Sequence, residues 1–275
     1  MFRDNKVVVV GLGEIGRPIL DLVAMQHDAI GVDVSPPPER VSAVDILHIC
    51  YPFDIEDFVA ETARYIAFFA PSLTIINSTV AVGTTRAVAR KTGAAVVHSP
   101  VRGKHPHMMQ DLRRYVKFAG GVTKSDAERA ADHFRSIGLT TTVLSSPEAT
   151  ELAKLTETTY FGLMIAWAQE VERYCDQLAL NYDEIVSFYK EILFFPPVKY
   201  VPGVIGGHCV MPNIKTLLQL GPSAMLQAIE SSNKQKLERE PRQTSGHDRS
   251  NGTTPEGTRS AVNVALSSAL DSRQI

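Results

Sequence analysis

Short apolar runs alternate with segments of helical period through the first half of the chain. Five runs have the length and β-branched content of buried strands, and they lie at residues 6–10, 29–34, 45–50, 73–77 and 94–98. The segments between them carry apolar residues at helical spacing, near 14–27, 54–70 and 84–92. Because helices follow the strands, the pattern predicts an α/β domain with a doubly wound parallel sheet and helices on both faces.

A further strand, helix and strand complete this domain, which we expect to cover residues 1–146. These three elements are predicted near 115–121, 126–137 and 139–144. At Ser146 the pattern changes, because Ser146 is placed to cap a helix and Pro147 fits the first turn, where its missing N–H is not needed. The sheet domain therefore ends where a helix begins.

One long helix is predicted from Pro147 to about Leu180, interrupted only by Gly162. Its apolar residues cover more than one narrow stripe, which indicates burial against its own domain and against another subunit. Shorter helices are expected near 183–193, 212–220 and 222–232. Together they predict a helical domain over 147–235 and a homodimer formed through the long helix.

The remaining residues, 236–275, are polar, poor in aromatics and rich in turn formers. Such a composition does not bury enough apolar surface to order a chain, so we expect a disordered tail. One weak helical segment is the exception, at 261–270.

Composition narrows the class of protein. The chain has 275 residues, 44% hydrophobic and 21% charged, as expected for two soluble globular domains. Its formal charge of −2 predicts no general attraction to nucleic acid or anionic membrane. Three widely separated cysteines make neither a disulfide framework nor a metal-ligand cluster. With neither a signal-like segment nor a membrane-spanning run, a cytoplasmic protein is expected.

A glycine motif follows the first predicted strand and opens the first helix. Gly11, Gly13 and Gly16 have the G-x-G-x-x-G spacing, in which the first permits a tight turn, the second a close approach to a pyrophosphate and the third helix–strand packing. Asp33 ends the second strand, where a carboxylate binds a ribose 2′-hydroxyl and favours NAD over NADP. The first domain is thus predicted to be a Rossmann-type NAD-binding domain; the alternative is a glycine turn without a cofactor.

Two hydroxyls and a lysine are candidates for chemistry. Ser78 and Thr79 follow the fourth strand, where they either face a nicotinamide and substrate or cap a helix. Lys154 lies in the first turns of the long helix, so it either borders the cofactor cleft or is solvated. The predicted cofactor-binding residues are Gly11, Gly13, Glu14, Ile15, Gly16, Asp33, Ser78 and Thr79.

Cys209 stands in a turn with Gly206 and Gly207, where backbone can approach a ligand closely. His208 and nearby N–H groups would favour its thiolate form, whereas a free cysteine is often just a small buried hydrophobe. Cys50 and Cys175 are interpreted as buried in that way. The residues alone leave a nucleophilic role for Cys209 open.

The segment "PGVIGGHCVMPN" resembles the cysteine motif of the UDP-glucose/GDP-mannose dehydrogenase family, written PGxGxGGHCxPxD. Other segments follow in that family's order, namely "GLGEIGRPI", "DILHICYPF", "INSTVAVGTTR", "HSP" and "ELAKLTETTYFGLMIAWAQEVERYCDQL". The similarity covers roughly residues 5–235. The cysteine motif is specific to the family, whereas the glycine motif is not.

The resemblance implies two successive oxidations of a sugar C6 alcohol to a carboxylate with two NAD molecules. In that scheme Cys209 attacks the aldehyde-level intermediate, and water hydrolyses the thioester that follows. Lys154 matches the lysine that stabilises developing oxygen charge, and Thr79 matches a hydroxyl near the nicotinamide. The long helix matches the family's dimerisation element.

The chain also departs from the family pattern. Val101 replaces the glutamate of Ser-Pro-Glu, Thr158 an asparagine one helical turn after the lysine, and Asn213 the aspartate of the cysteine motif. These changes remove acid/base groups. The chain is further expected to lack the family's C-terminal nucleotide-sugar-binding domain.

A cationic cluster follows the fifth predicted strand, at Arg102, Lys104, His105 and His107. It is either solvated surface or a site for a phosphate or carboxylate, with Arg102 as a bidentate ligand. The predicted substrate-binding residues are Arg102, Lys104, His105, Thr158, Gly206, Gly207 and Asn213.

Three functions remain open at this point. The first is a nucleotide-sugar 6-dehydrogenase that uses Cys209, Lys154 and Thr79 as catalytic residues and NAD as cofactor. The second is a single-step β-hydroxyacid dehydrogenase, because "GLGEIGRPI", "NSTV" and the helix lysine also resemble that family, which lacks the GGHC turn. The third is a non-catalytic NAD-binding protein that has lost its acid/base groups.

Overall fold

The computed structural model describes residues 5–33, 41, 43–103, 106–189, 200–206 and 209–239. It divides into two compact units, Met1–Leu155 and Thr156–Ile275. The predicted domain boundary lay at 146/147, at the start of the long helix. The observed boundary lies inside that helix, because its first turns bond to the sheet unit.

The sheet of the first unit has the strand order β2-β1-β3-β4-β5-β6-β7. Its strands are β1 (Lys6–Val10), β2 (Asp28–Val32), β3 (Ile46–Ile49), β4 (Leu73–Ile76), β5 (Val96–His98), β6 (Lys117–Gly121) and β7 (Thr141–Val143). The first five strands are parallel to one another, and β6 pairs with β7 in parallel. This confirms the doubly wound α/β fold that the hydrophobic pattern predicts.

One strand pair differs from the all-parallel prediction, since β5 and β6 are antiparallel. Among the described residues between them, α4 (Met108–Arg114) is the one helix, and seven residues of helix span about 10 Å. A parallel connection needs a longer crossover along the face of the sheet. The sequence of α4, "MMQDLRR", places the buried Met108 and Leu112 four residues apart, which is helical spacing, but this short helix was not predicted from the sequence.

Alternate residues of β1 enter two separate cores, one on each face of the sheet. Val7 and Val9 pack with Phe134, whereas Val8 and Val10 pack with Phe58. The four valines are at most 2% exposed, and full burial of such a side chain contributes about 1.5–3 kcal/mol. Helices therefore cover both faces of the sheet. The remaining helices of this unit are α1 (Gly16–Val23), α2 (Phe58–Phe69), α3 (Thr84–Thr92) and α5 (Lys124–Ser136).

The long helix α6 extends over Pro147–Leu178 and continues into the second unit. The described part of that unit also contains α7 (Tyr182–Ser187), α8 (Val210–Leu218) and α9 (Ala224–Arg239). Ile165 of α6 packs with Val210, Ile214 and Ile229 in its main core. As predicted, Cys50 and Cys175 are buried.

Helix α9 corrects the predicted start of the tail. It continues to Arg239, past the predicted boundary at 235. Lys236 donates to Glu172 at 2.7 Å and Arg239 to Asp176 at 3.3 Å, so pairing with α6 extends the helix. Residues 240–275 lie outside the described residues, as do 190–199, which include the end of the helix predicted at 183–193.

Within the described ranges, no helix is both long enough and apolar enough to cross a bilayer. The same ranges hold no group of three or more histidine, cysteine, aspartate or glutamate side chains placed to bind a metal ion.

Candidate active site

The order of the strands places a crevice between β1 and β3. The chain leaves β1 for β2 on one side and returns to β3 on the other, and ligands of open α/β sheets bind at the carboxyl edge at this point. Gly11 follows β1, and a Cβ atom there would lie 2.6 Å from the backbone nitrogen of Tyr51, which follows β3. The backbones on the two sides of the crevice thus approach too closely for any other residue at position 11.

Each glycine of the motif has a distinct environment. Gly11 has a φ of +88° and donates its N–H to the carbonyl oxygen of Val32 at 2.8 Å. A Cβ atom on Gly16, the first residue of α1, would lie 1.7 Å from the carbonyl oxygen of Gly11. No atom lies within 4 Å of a Cβ placed on Gly13, so the backbone there is open. These environments suit a cradle for a pyrophosphate beside the start of a helix.

Asp33 lies at the end of β2, beside the glycine turn. Its side chain is exposed, and its Oδ1 accepts a long contact of 3.5 Å from the backbone nitrogen of Leu12. Glu14 is exposed in the turn, and Ile15 packs against the core at the N-cap of α1. The residues present therefore fit a dinucleotide, with an open backbone for the phosphates and a carboxylate for the ribose.

The carboxyl ends of β3, β4 and β5 are joined by hydrogen bonds. Ser78 is buried, and its hydroxyl donates to the carbonyl oxygen of Tyr51 at 2.6 Å. His98 Nε2 donates to the carbonyl oxygen of Ser78 at 3.1 Å, and Nδ1 lies 2.8 Å from the hydroxyl of Thr150 on α6. Burial lowers the pKa of His98 to about 3, so the ring is neutral and holds the strand ends without charge. Thr79, which follows Ser78 in the chain, is half-buried.

Glu151 on α6 fixes the start of that helix to α3. Its carboxylate is fully buried and accepts from the backbone nitrogens of Gly83 at 2.6 Å and Thr85 at 2.8 Å. It thereby occupies N–H groups at the start of α3 that have no partner within the helix. Burial raises the pKa of Glu151 despite these hydrogen bonds. Arg86 and Glu148 add a bidentate ion pair between the same two helices, at 2.5 and 3.0 Å.

Lys154 follows Glu151 by three residues and is half-buried. Its charge is close enough to lower the pKa values of His98 and Lys117, as a smaller cause than burial in both cases. Both of those side chains lie under the carboxyl ends of β4 and β5. The structure thus supports the expectation that the first turns of α6 border this edge of the sheet.

Lys117 is a buried cation that the sequence analysis missed. Its side chain is 3% exposed, and its ammonium donates to the carbonyl oxygens of Ser99 and Pro100 at 2.5 and 3.1 Å and to Oδ1 of Asn77 at 3.2 Å. Its position in the sequence could have predicted this environment. The apolar strand segment "YVKFAGG" suggests burial, and a lysine is almost never buried unless it is paired.

The predicted cationic cluster is only partly described. Arg102 is half-buried, with its guanidinium 5.4 Å from the ring centroid of Tyr115 and 5.7 Å from that of Phe118. His107 is exposed at the N-cap of α4. Lys104 and His105 lie outside the described residues. Arg102 thus makes cation–π contacts with two rings, and its role toward an anion remains a prediction.

Cys209 occupies the N-cap position of α8 and is exposed. Asn213 is buried one turn later, with its backbone nitrogen donating to the carbonyl oxygen of Cys209 at 3.2 Å. A Cβ atom on Gly206 would meet nothing within 4 Å, so the backbone at Gly206 is open. Gly207 and His208 lie outside the described residues.

Two buried amides hold the segment that leads into the cysteine turn. Asn233 of α9 accepts from the backbone nitrogen of Ile205 at 2.7 Å and donates to its carbonyl oxygen at 3.1 Å. Gln169 of α6 donates to the carbonyl oxygen of Gly203 at 2.7 Å and is fully buried. Neither residue was predicted from the sequence, because both lie in helices far along the chain from the turn.

The predicted catalytic residues fall in both units. Thr79 and Lys154 belong to the first, with the glycine turn, whereas Cys209 belongs to the second, with Thr158 and Asn213. Thr158 is half-buried on α6, four residues after Lys154. A pocket shared by Lys154 and Cys209 stays a prediction.

Comparison with known sequences bears on the second unit. The sequence profile of the UDP-glucose/GDP-mannose dehydrogenase family, central domain, matches residues 148–235. These residues are therefore similar to the central domain of that family. The UDP-N-acetyl-D-mannosamine dehydrogenase of Methanocaldococcus jannaschii is 24% identical over 257 residues, which cover 75% of this chain and 60% of that protein. The chain thus spans about 60% of the length of this relative.

Solved structures share the fold. A UDP-N-acetyl-D-mannosamine dehydrogenase from Pyrococcus horikoshii superposes with a TM-score of 0.74 at 21% identity, covering 84% of this chain and 68% of that one. A 3-hydroxyisobutyrate dehydrogenase from Mycobacterium tuberculosis has a TM-score of 0.65 at 16% identity, covering 86% and 95%. At these identities the likeness establishes the fold alone, a Rossmann-type sheet followed by helices.

Proposed function

We propose that this protein is an NAD-dependent dehydrogenase that oxidises the primary alcohol of a nucleotide sugar toward a carboxylate. One observation carries the proposal. Glu151 and Glu148 fasten the start of α6 to α3, and Lys154 thereby lies near the carboxyl edge of the sheet that also carries the glycine turn. The family match of residues 148–235 supports the same activity.

The first unit supplies the cofactor site. The open backbone at Gly13 and the start of α1 would hold the pyrophosphate, and Asp33 would accept hydrogen bonds from the ribose and repel a 2′-phosphate. Glu14 and Ile15 complete the turn. When bound, NAD accepts a hydride from the substrate carbon in each oxidation.

Lys154 and Thr79 act on the substrate oxygen in this proposal. The ammonium of Lys154 stabilises the negative charge that develops on the alcohol oxygen as its proton leaves. Thr79 orients the reacting groups through its hydroxyl. Because the buried ring of His98 stays neutral, it adds no competing positive charge beside Lys154.

Cys209 acts in the second oxidation. Its sulfur bonds to the aldehyde carbon while the aldehyde oxygen takes a proton, which gives a thiohemiacetal on the enzyme. Oxidation of this adduct gives a thioester, and water cleaves it to release the carboxylate and restore the thiol. The N-cap position of Cys209 supports this role, because thiolates are stabilised at helix N-termini.

The hydrolytic step lacks its usual acid/base groups. Val101, at the position of the family glutamate, is 5% exposed and packs in the sheet core. Asn213, at the position of the family aspartate, is also buried. We therefore expect thioester hydrolysis to be slower than the oxidations, so that the acyl adduct on Cys209 accumulates.

The test is a substrate panel with NAD, using UDP-N-acetyl-D-mannosamine, other nucleotide sugars and 3-hydroxy acids. We expect two NADH per nucleotide sugar and an acyl mass on Cys209. Lys154→Met should lower kcat about a hundredfold to a thousandfold, and Cys209→Ala should stop the reaction after one NADH. Full oxidation of every accepted substrate by Cys209→Ala would rule out the thiohemiacetal.

A single-step oxidation of a 3-hydroxy acid is the second candidate. The fold match to the 3-hydroxyisobutyrate dehydrogenase favours it, because that match covers 95% of the other chain. One NADH per substrate, with an aldehyde or ketone as product, would identify this reaction. Calorimetric NAD binding without turnover on any substrate would identify a non-catalytic NAD-binding protein.

A homodimer through α6 is part of the proposal. Four large side chains on this helix are exposed at heptad-like spacing: Tyr160 (52%), Trp167 (52%), Tyr174 (48%) and Leu178 (67%). Such a stripe is typical of a helix that packs against another helix. We expect light scattering to give a dimer mass for the native chain and a monomer mass for Trp167→Glu. A monomer mass for the native chain would exclude the dimer.

A further inference from the structure

Three strand ends converge on the ammonium of Lys117, which projects from β6. The carbonyl oxygens of Ser99 and Pro100, just after β5, and Oδ1 of Asn77, just after β4, accept its three hydrogen bonds. The thiol of Cys50, just after β3, interacts electrostatically with the same group. An ammonium has three donors, so these acceptors use its full capacity.

The two segments that Lys117 holds lead directly to candidate site residues. Asn77 precedes Ser78 and Thr79, and Pro100 is followed by Val101 and Arg102. A second bond from β6 supports the same arrangement, since the hydroxyl of Ser99 donates to the carbonyl oxygen of Phe118 at 2.6 Å. Strand β6 thus fixes the ends of β4 and β5 through side-chain hydrogen bonds.

We infer that Lys117 is a positioning residue for the proposed oxidation, holding the segments 77–79 and 99–102 in their relative placement. The inference rests on the proposed function for its catalytic consequence, although the placement itself can be measured without turnover. Lys117 is not a catalytic residue, because its contacts are with the backbone and with Asn77 rather than with the open edge of the sheet.

Protonation controls this role. Burial lowers the pKa of Lys117 to about 7, while Cys50 raises it and Lys154 lowers it by smaller amounts. Among the described residues, the titratable groups His48 and His98, both buried, also interact with it, and the ring of Phe134 lies 5.0 Å from the nitrogen. Above neutral pH the amine keeps only two donors, so at least one acceptor loses its partner.

The experiment measures amide hydrogen exchange by mass spectrometry from pH 6 to 9, corrected for intrinsic rates. In the native chain we expect exchange in 77–83 and 99–103 to increase about tenfold as Lys117 deprotonates. Lys117→Met should exchange fast in both segments at every pH. Lys91→Met, which changes an exposed lysine on α3, should behave like the native chain.

Turnover with NAD and UDP-N-acetyl-D-mannosamine gives the catalytic readout. We expect Lys117→Met to lower kcat about tenfold to a hundredfold through misplacement of the reacting groups, and to change NAD affinity, measured by calorimetry, by a smaller factor because the glycine turn is untouched. Exchange and kcat equal to those of the native chain would overturn the inference. If the native chain turns over no substrate, the proposed function fails, and the exchange profile alone still decides the role of Lys117.

Discussion

The candidate site residues form two sets, a first half in one unit and a second half in the other, and different chemistry holds each set in place. In the first unit, buried ionisable groups hold the segments around the glycine turn and Lys154, namely Glu151, His98 and Lys117. In the second unit, the neutral amides of Gln169 and Asn233 hold the segment before Cys209. Backbone groups next to candidate site residues are therefore held by titrating side chains in one unit and by non-titrating side chains in the other.

This difference has a physical consequence. A buried ionisable group couples local structure to pH, because its proton affinity differs between the folded and unfolded states. A buried amide offers donors and acceptors at every pH. Among the groups that the structure describes, the first unit should therefore respond to pH, whereas the segment before Cys209 should not.

Among the substitutions considered, Glu151→Ala should destabilise the first half the most. It leaves two backbone nitrogens at the start of α3 without their acceptor and detaches the start of α6. We expect a loss of about 3 kcal/mol in the free energy of unfolding, measured by urea denaturation. Glu151→Gln, which keeps one acceptor oxygen, should lose about 1 kcal/mol. Equal stabilities for the two variants would show that the carboxylate does not cap α3.

The residues that could be predicted from sequence are those whose role depends on near neighbours. The glycine turn follows from a strand, three glycines and a helix within 20 residues, and the structure gives Gly11 the positive φ that a tight turn requires. Glu151 bonds to a backbone 66 residues away, and Asn233 to one 28 residues away. No local pattern encodes such partners, so the supporting residues were missed.

Arg102 is a residue that the sequence does single out, but its surroundings could not be predicted from the sequence. Its place after β5 predicts an anion ligand, but its guanidinium also lies over the rings of Tyr115, which follows α4, and of Phe118 on β6. Phe118 lies beside Arg102 because β6 runs antiparallel to β5, and the sequence predicted an all-parallel sheet instead. The direction of one strand thus determines the surroundings of a site residue.

Asn233→Ala tests the second half. The substitution leaves the N–H and the carbonyl oxygen of Ile205 without partners, and the expected loss is about 2 kcal/mol in the free energy of unfolding. Because the amide does not titrate, the loss should be the same at pH 6 and pH 8. Lys234→Ala, an exposed neighbour on α9, serves as the control and should change little. If the loss in the free energy of unfolding varied with pH, the two halves would not differ in their response to pH.

His98→Gln tests the pH dependence of the first half. The glutamine keeps a donor for the carbonyl oxygen of Ser78 but does not titrate. The pKa of His98 is lowered by burial from 6.5 to about 3, so between those values the unfolded chain binds a proton that the folded chain does not. The free energy of unfolding of the native chain should therefore fall as pH decreases below 6.5, with no contribution from His98 above that pH.

Relative to His98→Gln, the native chain should lose up to about 1.4 kcal/mol more per pH unit, measured by urea denaturation from pH 7 to pH 5. Parallel curves for the two proteins would mean that His98 is solvated enough to titrate normally, and the neutral framework beside Lys154 would then not exist.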